Sequence, residues 1–425
     1  MRHNKNISFI FSRKIKILII MCAIIFQYNL ANGAGIKVTT NTASQTLKNH
    51  EDYLYVSPDT YYASSTIGAC VKVEATGSND IKIKNGIIVY GTLDGFQDKS
   101  KKLTTSATPG LLIIATSTCN LLSNIEIIGY ISGSPALSIG GMTTNKGGFS
   151  GKITNSYKGI IKSSTTAIYI GVNSPSTATD IKFINKGSIA GAIIVKSIVI
   201  PNTSTFSLKN EGEINASDII CQASATNVVY GNSSMENNGL IILGNATTVA
   251  STLCVGKIIN NGEITANSKK LIIAGTMQLE NNNRFYVNKE INIDKYVTLK
   301  NLAHGTIKIH GIATFNNHII NSGYFVTTDG ATITAGASFI NQRAGEFYSV
   351  YQKLVVNGSF TNSGRSAHGE LVVNQNSAVI NYKSANIGVN SLLINDATIT
   401  NHGSFVANEI SGSGVIKAQH GLVKI

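Results

Sequence analysis

The chain has 425 residues and a formal net charge of +13 at pH 7, from 35 basic and 22 acidic side chains, with 43% of its residues apolar. Five of the basic residues lie within residues 1–33, so the remainder carries 30 against 22, or +8, and of those 30 only Arg284, Arg343 and Arg365 are arginines. The clustered arginines and interleaved aromatics of a nucleic-acid interface are therefore missing, and a lysine-rich exterior is expected, of a kind that would favour anionic glycans or lipid headgroups if it bound anything through charge.

The chain opens on basic residues (Arg2, Lys5, Arg13, Lys14, Lys16), becomes apolar from Ile17 to Phe26, and reaches Ala31-Asn32-Gly33-Ala34. That order predicts a cleaved secretory signal peptide over 1–33. The apolar core is well short of the roughly 20 residues that span a bilayer, and no second apolar run follows, so no membrane span is expected in the mature chain. A lipid-modified Cys22 is disfavoured because the bulky Met21 precedes it. Export through the inner membrane gives the expected location as the cell surface or the medium, alternatively the periplasm.

Residues 34–80 show no period but hold Tyr53, Tyr55, Tyr61 and Tyr62, which predicts an N-terminal cap or lead-in segment over an otherwise open stack. A repeated phrase then begins faintly around Asn85 and Asn124. Its clear form is an apolar residue, any residue, Asn, a short gap, Gly, any residue, an apolar residue. It recurs at Asn155, Asn185, Asn210, Asn237, Asn260, Asn281, Asn301, Asn321, Asn341, Asn362, Asn381 and Asn401. From Asn260 the steps are 21, 20, 20, 20, 21, 19 and 20 residues, whereas upstream they run from 23 to 31. A steady period marks a stacked repeat, and the longer steps mark loops inserted into a constant unit. Residues 81–260 are thus expected to form coils with inserted loops, notably 173–180 and 201–205, and residues 261–425 regular coils. Binding is expected upstream, between Asn124 and Asn260, where the loops lie.

Two residues before each Asn stand Ile153, Phe183, Leu208, Met235, Ile258, Leu279, Leu299, Ile319, Phe339, Phe360, Val379 and Ile399, all twelve apolar in a chain that is 43% apolar. A second apolar column follows the Gly at Ile189, Ile214, Ile241, Ile264, Phe285, Phe325 and Phe405, and it moves to Ile307 and Phe347 where the gap widens. Short β-branched runs such as Leu271–Ile273, Ile291–Ile293, Leu354–Val356 and Leu392–Ile394 read as strands. A unit of about 20 residues with two or three such strands and no helix cannot bury its own apolar face and must stack on the next copy. The expected fold is all-β, a parallel β-helix of 14–16 coils, roughly 70 Å long at one strand spacing per coil. At each corner the stacked Asn amides can bond along the axis. Asn and Gly are also expected to supply left-handed backbone angles for the bend.

The phrases Phe183–Ile189, Leu208–Ile214 and Ile258–Ile264 resemble the passenger domains of bacterial autotransporters over about residues 81–425. That resemblance implies that the parallel β-helix is right-handed, and that it is exported to the surface of a Gram-negative bacterium and used as an adhesin or other virulence factor. Those proteins end in a β-barrel translocator, which does not follow Gly421–Ile425 here. The resemblance therefore implies a translocator encoded elsewhere, a truncated remnant without activity of its own, or another export route. The Asn-Pro-Asn motifs of two-partner haemagglutinins and the Gly-Gly-Ala-Ile phrase of chlamydial surface proteins are not found.

The rival reading is a β-helix polysaccharide lyase or glycoside hydrolase, which needs carboxylates paired within about 5 to 9.5 Å. Glu213, Glu263, Glu290, Asp294, Asp329, Glu346 and Asp396 are isolated in sequence. His304, His310, His368, His402 and His420 each precede Gly, and are expected to be turn or solvent-facing residues on different coils rather than a converging ligand set. No cofactor, metal or catalytic constellation is expected. Cys70, Cys119, Cys221 and Cys254 leave two alternatives open, buried free thiols or at least one disulfide. The expected partners are a host-cell glycan or surface protein and an outer-membrane translocator, with no nucleic acid.

Overall fold

The computed structural model describes residues 36–425 except 39–44, 48–53, 59–60, 64–68, 76–80, 84–85, 97–107, 116–119, 141–147, 173–179, 198–204, 224–231 and 276. The expected signal peptide, Tyr53, Asn85, Cys119 and nearly all of the two inserted loops lie outside the described residues.

The chain folds into a right-handed parallel β-helix. Every described residue is in strand, turn or irregular backbone, and all strand pairings are parallel between successive coils. Each regular coil has three strands. In the coil of Asn260 these are Lys257–Asn260 leading into the corner, Glu263–Ala266 after it, and Lys270–Ile273 closing the turn. We call these the first, second and third faces. Asn260 then lies opposite Asn281, Ile264 opposite Phe285, and Ile273 opposite Ile293. The second and third faces fuse into one sheet because long strands such as Glu346–Val356, Arg365–Val373 and Asn386–Asn395 bend from one to the other across register shifts.

The first face is a ladder of seventeen strands, from Ile36–Val38 to Val415–Ala418, which at about 4.8 Å per rung spans about 77 Å. It is longer than expected at its N-terminal end. Ile36 lies opposite Leu54, and Leu54 opposite Ile87, so the segment read as a cap already carries coil strands. Tyr55 in that segment packs against Tyr90 of the next coil, with ring centroids 5.6 Å apart. These early rungs escape a search for periods because they are 18, 33, 38 and 28 residues apart and only three residues long. Asn124 is also corrected. The residue beneath Asn155 is Ile127, beneath which lies Val89, so Asn124 stands off the ladder and its Oδ1 accepts from the Lys152 backbone N–H at 3.2 Å.

Strand alternation sends every second side chain inward, and the stacked coils bury them in one continuous core. All twelve residues of the column before the Asn are at most 2% exposed, and Ile307 and Phe347 are fully buried after their widened corners. Burying each such side chain contributes about 1.5–3 kcal/mol before chain entropy is set against it. From Phe315 to Phe360 the core is aromatic. Phe339 and Phe347 stack at 4.1 Å, with Phe325 edge-on to both at 5.5 and 5.7 Å.

The corner glycines serve a different purpose from the one expected. None of Gly212, Gly239, Gly262 and Gly323 has a positive φ, and neither do the ladder asparagines. They are glycine because successive corners stack too closely for a side chain. A Cβ on Gly262 would lie 2.1 Å from the carbonyl oxygen of Gly239, and one on Gly323 2.2 Å from that of Gly305.

Candidate binding surface

The twelve corner asparagines Asn155 to Asn401 are all fully buried and form one chain of hydrogen bonds. Each Nδ2 donates to the Oδ1 of the Asn one coil further on, at 2.7–2.9 Å over all eleven steps. The second amide N–H goes to a backbone carbonyl of the second face, as from Asn260 to Arg284 at 2.8 Å and from Asn381 to Ser404 at 2.9 Å. All amides therefore point the same way along the axis. At the N-terminal end Asn155 Oδ1 has no donor, because the rung beneath is Ile127. At the C-terminal end Asn401 donates to Leu422 and Gly403 carbonyls, and Ala418 takes the next rung. The ladder is structural, since its side chains are fully buried and its polar atoms, Asn155 Oδ1 apart, bond to one another or to the backbone.

The histidines separate into two kinds. His304, His310 and His420 are exposed, and His402 stacks on Tyr382 at 6.5 Å. His368 departs from the expectation of a turn or solvent-facing residue, being fully buried on the strand Arg365–Val373 just before its register shift. Its Nδ1 meets Ser349 Oγ at 2.6 Å and its Nε2 meets Ser366 Oγ at 2.5 Å. The ring packs edge-on against Phe347 and Phe360 at 5.1 and 5.9 Å. Burial alone pushes its pKa down from 6.5 to about 3, so the imidazole is neutral, with one nitrogen donating and the other accepting.

Cys70, Cys221 and Cys254 are free and buried, and burial raises all three thiol pKa values, to about 12 for Cys70 and about 11 for Cys254. Among the described residues no group of three or more His, Cys, Asp or Glu is placed to hold a metal, and no helix is long and apolar enough to cross a membrane. Several of the acids that stand isolated in sequence have basic partners one coil away. Glu263 lies 3.5 Å from Arg284 and Glu346 4.0 Å from Arg365.

Charge on the outer faces is arranged by register. Where two charged residues lie directly opposite across a described rung, six pairs are of opposite sign: Lys209–Glu236, Glu263–Arg284, Lys270–Glu290, Glu280–Lys300, Glu346–Arg365 and Lys353–Glu370. One pair, Lys152–Lys182, is of like sign. It sits on the first face beside the corners of Asn155 and Asn185. The exposed Tyr157 and Lys158 occupy the first of those corners, and Lys186, with its Nζ 5.4 Å over the Tyr157 ring, occupies the second. Lys162 faces outward on the second face just beyond. Residues 148–210 hold seven lysines against a single acid, Asp180, a net +6 out of the +8 carried by residues 34–425. Composition read over the whole chain missed this concentration; counting charge coil by coil would have found it. Comparison of the chain with protein-family models, curated proteins and solved structures returns no match.

Proposed function

We propose that the chain is an exported β-helix passenger of a Gram-negative bacterium, acting at the cell surface or in the medium as an adhesin-like binding and structural protein. The observation that carries this reading is the division between inside and outside. Inward positions repeat coil after coil as Asn ladder and apolar column, while outward positions differ from coil to coil, with opposite charges set across several rungs and positive charge gathered at the upstream corners. A rod of this kind holds a surface away from its point of attachment, and the resemblance of its corner phrases to autotransporter passengers supports the same use.

The test is to incubate the full chain with pectin, alginate and host glycosaminoglycans, and separately with cultured host cells. Retention without new reducing ends or unsaturated products supports the reading. Turnover of any one polysaccharide defeats it in favour of a β-helix lyase or hydrolase. A chain that neither adheres to cells nor retains any of these polymers is an inactive remnant.

A further inference from the structure

We propose that the corner region of the coils closed by Asn155 and Asn185 is a docking surface for a linear sulfated polysaccharide lying along the solenoid axis. This inference rests on the adhesin-like reading and supplies its ligand class and its site. Lys152 and Lys182 are Cα partners one rung apart, both exposed on the same outward row. Like charges directly opposite in a sheet destabilise it. Elsewhere this sequence opposes lysine with glutamate at such positions, so the exception is specific to this place. Among the described residues no carboxylate lies within ion-pair distance of Lys152, Lys158, Lys162 or Lys182. Within residues 148–210 the one acid, Asp180, accepts from the Thr205 hydroxyl, and on the rung beneath, Glu126, opposite Thr154, accepts from the Ser156 hydroxyl at 3.0 Å. Glu211 marks the far edge of the patch, where Lys209 reaches it at 2.7 Å and Lys186 at 3.9 Å.

Shape and side-chain chemistry select the occupant. The face is a parallel sheet whose rungs rise by about 4.8 Å, close to the length of one pyranose residue in an extended chain, so charges one coil apart meet successive sugars. The cations are all lysines, compact point charges on flexible stems that can follow the anionic groups of a polymer lying along the axis; the chain's three arginines beyond residue 33 are all downstream. Tyr157, 76% exposed, offers an aromatic face on which the C–H side of a sugar ring can lie, next to the ammonium of Lys186. An extended polyanion would relieve the Lys152–Lys182 repulsion by supplying the charge the sheet lacks, and its binding must weaken with salt.

The experiment measures binding of the full chain to heparin, to desulfated heparin, to vesicles of phosphatidylserine in phosphatidylcholine, and to duplex DNA, with circular dichroism and melting for every variant. Lys152→Glu with Lys182→Glu is compared with Lys289→Glu and Lys383→Glu, which change the net charge equally on distant coils. We expect the first pair to weaken heparin binding at least tenfold, the second less than twofold, and desulfation to weaken it at least tenfold. Lys182→Glu alone, which turns the like-charged rung into an opposed pair, should raise the melting temperature while lowering affinity. Equal losses from the two pairs, no heparin binding by the unaltered chain, or tighter binding to vesicles or DNA would overturn the proposal. If the Lys152/Lys182 variant adheres to host cells as well as the unaltered chain, the adhesin reading stands and this site assignment fails. If the unaltered chain does not adhere to cells at all, the adhesin reading fails with it.

Discussion

Asn260 and Asn261 are neighbours at one corner, and both bond to asparagines on the coils above and below, yet replacing them should have very different effects. Asn260 is fully buried, accepts from Asn237, and donates to Asn281 Oδ1 at 2.7 Å and to the Arg284 carbonyl at 2.8 Å. In Asn260→Ala one Asn237 amide N–H keeps the Glu263 carbonyl at 3.1 Å while the other is left buried with no acceptor, Asn281 Oδ1 is left buried with no donor, and the Arg284 carbonyl loses one. Two fully buried orphans, one donor and one acceptor, cost about 1–3 kcal/mol each and a partly buried acceptor about 1 kcal/mol, so the loss should be about 3–7 kcal/mol. Asn261 is exposed, in an outer row in which it donates to Asn238 at 3.0 Å and accepts from Asn282 at 2.8 Å. Water replaces those bonds, and Asn261→Ala should stay within about 0.5 kcal/mol. Because a stacked solenoid opens locally as well as globally, hydrogen exchange of the backbone amides over residues 237–301 is the sharper assay, with urea unfolding beside it. Asn260→Ala should speed exchange there by at least roughly a hundredfold, at about 1.4 kcal/mol per tenfold. Equal exchange in the two variants would refute the claim that burial, rather than stacking of amides as such, gives the ladder its strength.

Three further outcomes follow from the same geometry. His368 has a folded-state pKa far below its unfolded value, so its contribution to stability is complete above pH 6.5 and is lost as pH falls from there toward about 3. At pH 5 the loss should be about 2 kcal/mol, and His368→Leu should flatten that part of the stability–pH curve even if it lowers the plateau; an unchanged slope in urea titrations would contradict the assignment. Gly262→Ala should destabilise by more than the ordinary gain of a methyl group can offset, because its Cβ would meet the Gly239 carbonyl oxygen at 2.1 Å. A melting temperature equal to that of the unaltered chain would show that the corner can spread. Cys70, Cys221 and Cys254 should resist a thiol reagent in the folded protein and react on unfolding, read peptide by peptide by mass spectrometry.

The readable and unreadable parts of this chain divide along a physical line. A coil that stacks on its own copy must put the same kind of side chain at the same inward position each time. The Asn column and the apolar column from Ile153 to Ile399 are therefore visible as a period, and with them the all-β class, the parallel stacking and the approximate length. Relations between coils joined by loops of unequal length are invisible to a period. Lys152 and Lys182 each stand three residues before a corner Asn, and Glu346 and Arg365 each follow a corner Gly, but only the strand pairing shows that these equal positions face one another across a rung. The three-residue rungs at Ile36 and Leu54 are too short and too widely spaced to announce themselves. His368 shares its His-Gly phrase with surface histidines, but it lies within a second-face strand, where alternation after the buried Ser366 turns it inward between Phe347 and Phe360. The corner glycines were legible as glycines, but the reason for them was not: it is the carbonyl of the coil below, a neighbour in space that no local backbone preference reveals.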